Sequence, residues 1–121
     1  MIKHHQRILV AEDEFIVAFD LCDTVEEAGF EVEGPHSEMS TAMLAVQKAR
    51  PDLAILDVEL EDGDVFVLAD ALMAENVPVI FHSGQFSPEE VRSRYPTAIA
   101  CAKPCPPNVM LAKVHKALAA H

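Results

Sequence analysis

Ile8-Leu9-Val10-Ala11-Glu12-Asp13-Glu14 decides how the rest of this chain reads. The apolar residues run without alternation and stop at acids, which is the pattern of a short strand covered on both faces, as in a parallel sheet. Leu53-Ala54-Ile55-Leu56, Val79-Ile80-Phe81 and Ala98-Ile99-Ala100-Cys101 repeat it. Phe30-Glu31-Val32-Glu33 alternates instead, and reads as a less buried strand near a sheet edge.

Between these runs the apolar spacing changes to that of a helix. Ala18, Leu21, Cys22, Val25 and Ala28 form one stripe, with Gly29 where a helix ends. Met39, Ala42, Met43, Val46 and Ala49 form a second, opened by Ser37 and closed before Pro51. A third helix is expected from about Asp64 to Glu75, stopped by Pro78. Ser87-Pro88-Glu89-Glu90 carries a capping box with proline at the first helical position, and Pro96 ends that helix. The fifth is expected from about Pro107 onward, with Met110, Val114, Ala117 and Leu118 on one face. Strand then helix, repeated in this way, predicts an α/β domain: a doubly wound five-stranded parallel sheet with helices on both faces. No linker or repeat interrupts 1–121, so one domain is expected.

Composition narrows the function. The chain of 121 residues is half hydrophobic and carries a formal net charge of −11. A field of that sign repels phosphate backbones and anionic lipid, so no direct nucleic-acid or membrane binding is expected. No apolar run approaches a membrane span, and the first residues do not read as a signal peptide. Cys22, Cys101 and Cys105 are too few for a disulfide framework, which suggests a reducing, cytoplasmic setting. Cys101 and Cys105 lie four apart without a partner cluster, so neither a zinc site nor a redox pair is expected. His4-His5 reads as a solvated terminus.

In open parallel sheets the chemistry lies beyond the carboxyl ends of the strands. There the chain places Glu12-Asp13-Glu14, then Asp57, then Ser83-Gly84, then Lys103-Pro104. Singly, each is an ordinary helix start or turn; together they put carboxylates, a hydroxyl and an ammonium at one sheet edge. Clustered carboxylates are costly to ionise without a cation, and Mg²⁺ is the hard ion that suits them. Such a site can stabilise a phosphoryl group passing to a nucleophilic carboxylate.

These pieces resemble the receiver domain of two-component response regulators. Ile8 to Glu14, Pro51-Asp52-Leu53-Ala54-Ile55-Leu56-Asp57, Ser83-Gly84 and Lys103-Pro104 carry the likeness, at the family's spacing and over essentially the whole chain. Phe81-His82-Ser83-Gly84-Gln85-Phe86 is similar to the Phe-Ala-Thr-Gly-x-Tyr motif of a stand-alone alphaproteobacterial subfamily, as is the short loop from Asp57 to Gly63. The resemblance implies a flavodoxin-like (βα)5 fold with strand order 2-1-3-4-5 and no effector domain. It implies Asp57 as phosphoacceptor and Mg²⁺ held by Glu12, Asp13, Asp57 and the Glu59 carbonyl. Ser83 would bond the phosphoryl group, Lys103 would pair with it, and the Lys103–Pro104 peptide would be cis. The donor would be a sensor histidine kinase or histidine phosphotransfer protein. The output would be a contact with a protein effector, onward phosphotransfer, or homodimerisation through the face of the fourth helix, fifth strand and fifth helix.

Three departures from the family pattern matter. Ala100 stands where a switch aromatic is usual, leaving Phe86 either as its substitute or as packing. His82 replaces a small residue, either as a surface or helix-packed imidazole or as a pH-sensitive influence on the phosphoryl site. Glu59 and Gln85 flank acceptor and hydroxyl, where they would position or exclude the attacking water. Two other functions compete: a degenerate receiver that binds partners constitutively, and a small aspartyl-phosphate phosphohydrolase. The latter usually carries a second Asp where this chain has Glu59, and needs a cap this length does not supply. Flavodoxin-like cofactor binding is disfavoured, because no Gly/Ser-rich loop follows the first strand.

Overall fold

The computed structural model describes residues 6–60, 62–84 and 87–120, with the backbone alone at 63, 64 and 88. Strands β1 (Arg7–Ala11), β2 (Glu31–His36), β3 (Leu53–Asp57), β6 (Val79–Ser83) and β7 (Ile99–Ala102) form a parallel five-stranded sheet in the order β2-β1-β3-β6-β7. Helices α1 (Phe15–Glu27), α2 (Met39–Lys48), α3 (Val65–Ala74), α4 (Pro88–Arg94) and α5 (Pro107–Ala119) fill the crossovers. This is the order expected from the sequence, with β6 and β7 as its fourth and fifth strands.

The continuous apolar runs are explained by two cores, one on each side of the sheet. Leu9, Ala11, Ala54, Leu56, Phe81 and Ala100 pack towards α2, α3 and α4. Their alternates Ile8, Val10, Leu53, Ile55, Ile80 and Cys101 pack towards Leu21, Cys22 and Val25 of α1 and Met110, Val114 and Ala117 of α5. Successive residues of these runs therefore serve opposite cores, which keeps the runs continuously apolar until the strand ends. Leu56, Leu68 and Leu72 are fully buried, and truncating any of them to Ala costs about 2–5 kcal/mol.

Three details differ from the sequence reading. A two-stranded hairpin, β4 (Glu59–Leu60) with β5 (Gly63–Asp64), follows β3. Ser37 does not open α2. Glu38 occupies the N-cap without a side-chain bond, and the Asp62 carboxylate accepts from the Met39 and Ser40 amides and the Ser40 hydroxyl instead. The edge strand runs on to His36, through a register shift against β1 and a cis Gly34–Pro35 peptide. Gly34 has φ +127, and a Cβ there would meet the Val10 carbonyl oxygen at 2.6 Å, so only glycine fits. The capping box of α4 forms as expected, with the Glu90 amide donating to Ser87 Oγ.

Candidate functional site

The sheet brings four distant segments to one edge. Glu12, Asp13 and Glu14 follow β1, Asp57 ends β3, Ser83 ends β6, and Lys103 follows β7. Carboxylate oxygens of Glu12, Asp13, Glu14 and Asp57 all lie within 4.8 Å of one another. Lys103 Nζ reaches into this cluster, 2.9 Å from Glu12 Oε1, 3.0 Å from Glu14 Oε1 and 3.3 Å from Asp57 Oδ2. Its backbone amide donates to the Ser83 carbonyl at 2.9 Å, fixing the lysine beside the end of β6. The Glu59 amide donates to Asp57 Oδ1 at 3.0 Å, and the Glu14 amide to Glu12 Oε2 at 3.1 Å.

Burial sets the electrostatics. Glu12 is 2% exposed and Asp57 4%. Burial, with the nearby Glu12 carboxylate, pushes the Asp57 carboxyl up to about 6, against the Glu59 amide and the Lys103 charge. Burial and the contact with Asp57 raise Asp13 as well. Desolvation pulls Lys103 down, but its bonds to Glu12 and Glu14 and the charge of Asp57 outweigh that and hold it firmly protonated. His82 is buried rather than at the surface, with Nδ1 3.8 Å from Glu12 Oε1 and neither ring nitrogen hydrogen-bonded. Burial and the Lys103 charge push it down to about 4, so the imidazole is neutral near pH 7.

The donor set suits a hard divalent cation: carboxylate oxygens only, with Glu12 Oε1 buried and met by the Lys103 ammonium. Lys103 places one positive charge among four acids, which leaves negative charge for a metal to balance.

The structure thus gathers Glu12, Asp13, Asp57, Ser83 and Lys103, and the Lys103–Pro104 peptide is cis. Glu59 meets Asp57 through its amide. Ala100 is buried and pairs in register with Phe81. Beside it, the rings of Phe66, Phe81 and Tyr95 pack together at 5.4–5.7 Å, and Tyr95 Oη donates to Asp70 Oδ1. Gln85, Phe86 and His4-His5 lie outside the described residues. Glu14 was not assigned a role from sequence, yet it binds Lys103; the acidic run itself was the available signal.

One expectation is overturned. Cys101 and Cys105 are joined by a disulfide, with Cα atoms 6.4 Å apart. The chain turns back at Lys103–Pro104, so four residues of spacing bring the two side chains within bonding reach. Among the described residues, Cys22 alone is a free cysteine.

Over residues 8–115 the chain matches the response regulator receiver domain family, and it belongs to that family. Transcriptional regulatory protein PdtaR of Mycobacterium tuberculosis is 29% identical over 97 residues, covering 80% of this chain and 47% of that protein. Phyllosphere-induced regulator PhyR of Methylorubrum extorquens is 33% identical over 114 residues, covering 92% of this chain and 43% of that one. The chain spans less than half the length of these two relatives. A crystal structure of a response regulator receiver protein from Sinorhizobium medicae is 25% identical, covers 96% of each chain and superposes with a TM-score of 0.86.

The chain is therefore a receiver domain of the two-component type, and receiver domains are signalling switches rather than typical turnover enzymes. Receiver domains interact with histidine kinases or phosphotransfer proteins, and they generally bind Mg²⁺ in an acidic pocket. No described helix is long and apolar enough to cross a membrane.

Proposed function

We propose that Asp57 is the phosphoacceptor of this receiver, taking its phosphoryl group from a phosphohistidine. The observation that carries the reading is the position of Asp57: buried, ringed by three other carboxylates, and hydrogen-bonded by Lys103 and the Glu59 amide. Near pH 7 its carboxyl is mostly ionised, as a nucleophile must be. A carboxylate oxygen attacks phosphorus, the phosphorus–nitrogen bond of the donor histidine breaks, and the electron pair leaves with the imidazole nitrogen. Lys103 and the Ser83 hydroxyl take up charge on the phosphoryl oxygens. Glu12, Asp13, Asp57 and the Glu59 carbonyl would hold Mg²⁺, which would supply further positive charge to those oxygens. Glu59, two residues after the acceptor, and Gln85, two residues after Ser83 in the sequence, would set the approach of the water that later hydrolyses the acyl phosphate.

The donor's approach is supported by α1, which begins beside the acids and exposes Phe15, Ile16 and Phe19. For output we propose the face of α4, β7 and α5, used for an effector, onward transfer or homodimerisation. The Phe81-His82-Ser83-Gly84-Gln85-Phe86 motif supports membership of the alphaproteobacterial subfamily. A constitutive binding module would have no use for the gathered carboxylates and lysine.

Amide spectra with Mg²⁺ and beryllofluoride test this reading. Wild type should shift at Ser83 and Lys103, and Asp57→Asn should not. Equal shifts in both would remove Asp57 from the role.

A further inference from the structure

Lys103, the cation of the phosphoryl site, sits inside a loop closed by the Cys101–Cys105 disulfide. Cys101 is buried in β7, and Cys105 is half-buried just ahead of α5. The three residues between them are Ala102, Lys103 and Pro104. Two cavities border the pair, both of them touching Cys105. Cys105 borders a cavity of about 650 Å³ that also reaches Glu14, His82 and Lys103. Both cysteines border a second groove, of about 390 Å³, with Lys113. A small thiol or disulfide can therefore enter without unfolding the chain. Cys22 does not compete, because its thiol is buried in α1 and pushed up to about 11 by burial and the acids Glu26 and Asp23.

We propose that Cys101 and Cys105 form a thiol–disulfide switch: exchange with small-molecule thiols and disulfides interconverts the two states, and the disulfide holds Lys103 in place for phosphoryl uptake. In oxidation, the Cys105 thiolate attacks a small-molecule disulfide, whose S–S bond breaks and releases one thiolate. The Cys101 thiolate then attacks the Cys105 sulfur of the mixed disulfide and expels the second. Protein and oxidant balance: two cysteine thiols lose two electrons and two protons, and one disulfide becomes two thiols. Reduction runs the same steps backwards. In a reducing setting, a disulfide at a functional loop is the kind that senses rather than staples.

The effect on the site follows from the path of the chain. Lys103 is tied at its amide to Ser83 and at its ammonium to Glu12, Glu14 and Asp57. With the loop closed, both ends of the Ala102–Pro104 segment are covalently fixed about the lysine. With the loop open, one of those constraints goes, and a small displacement of a charge-stabilising group is enough to slow group transfer. This second half of the proposal rests on Asp57 as acceptor; the exchange of the cysteines does not.

The experiment equilibrates the full chain in 2-mercaptoethanol and 2-hydroxyethyl disulfide at varied ratio, alkylates it and reads intact mass. Each form is then given acetyl phosphate and Mg²⁺. Alkylation should shift from none to two labels as the buffer becomes reducing, and the oxidised form should take up phosphoryl roughly tenfold faster than the reduced one. Cys105→Ser, a change at the more exposed partner, should match the reduced form in every buffer. A pair that stays dithiol across the series, or two forms with equal uptake, overturns the switch. If neither form takes up phosphoryl, the acceptor reading fails, and Mg²⁺ affinity becomes the readout. An affinity that differs between the two forms then sustains the switch, because Lys103 competes for the same carboxylates, and an equal affinity overturns it.

Discussion

Lys103 Nζ donates to Asp57 Oδ2 at 3.3 Å across 46 residues of sequence, and the same ammonium contacts Glu12 Oε1 at 2.9 Å. One cation thus serves two buried acids from different strands. Asp57 carries the nucleophile of the proposed reaction, so the contact that steadies the resting site also lies where phosphoryl charge must be met.

Removing that ammonium leaves buried carboxylates without their partner. Lys103→Ala should lose about 3 kcal/mol of stability, the usual cost of breaking a buried charge pair from one side. Mg²⁺ should restore more stability to the variant than it adds to wild type, because the metal answers the same excess charge. Thermal melts with and without Mg²⁺ check this. Equal Mg²⁺ stabilisation of both proteins would count against a shared role.

Binding of Mg²⁺ should be linked to protons. Asp57 is pushed up to about 6, chiefly by burial, and Asp13 is raised by the same cause. Both must be ionised to hold a metal. Affinity should therefore be level above neutral pH and fall as pH drops through about 6. A titration calorimetry series across that range reads it directly; a flat profile would show that Asp57 is not among the ligands.

His82 gives a second pH dependence. Its folded value is pushed down to about 4, while an unfolded histidine keeps the ordinary 6.5, so the unfolded chain binds the proton first. Its contribution is fully present above pH 6.5, is lost as pH falls towards 4, and amounts to about 3 kcal/mol in all. Asp57 acts in the opposite sense. Its folded value lies above its ordinary 3.8, so stability falls as pH rises from there through about 6. The two partly cancel in wild type. The stability difference between wild type and His82→Gln isolates the histidine, and should change across that window in urea denaturation. A difference independent of pH would mean that the imidazole is already charged or exposed in the fold.

The α4 cap offers a control far from the chemistry. Ser87→Ala removes the side-chain acceptor of the Glu90 amide and should cost about 1 kcal/mol. Phosphoryl uptake should be little changed. A cost indistinguishable from zero by chemical denaturation would mean that α4 gains nothing from its capping box.

How much of this was legible depends on the range of the force involved. The sheet was readable because Leu9, Val10, Ile55 and Leu56 serve two cores, which forces continuous apolar runs. The site was readable because a parallel sheet carries strand ends such as Asp57 and Ser83 to one edge. The β4–β5 hairpin was not, since two-residue strands leave no periodicity to detect. The start of α2 was misplaced because Ser37 has suitable local chemistry, while the acceptor that prevailed, Asp62, is a tertiary partner more than twenty residues away. His82 could have been placed: it shares a strand face with Ile80, whose core lies between the sheet and helices α1 and α5. The Cys101–Cys105 bond needed the path of the Lys103–Pro104 turn, which spacing alone does not give.

The most direct test of the central claim is intact mass after incubation with acetyl phosphate, first with Mg²⁺ and then with EDTA. Wild type should gain a single phosphoryl group only when Mg²⁺ is present, and Asp57→Asn should gain none while folding normally. Asp57→Asn labelled as fully as wild type would contradict the account.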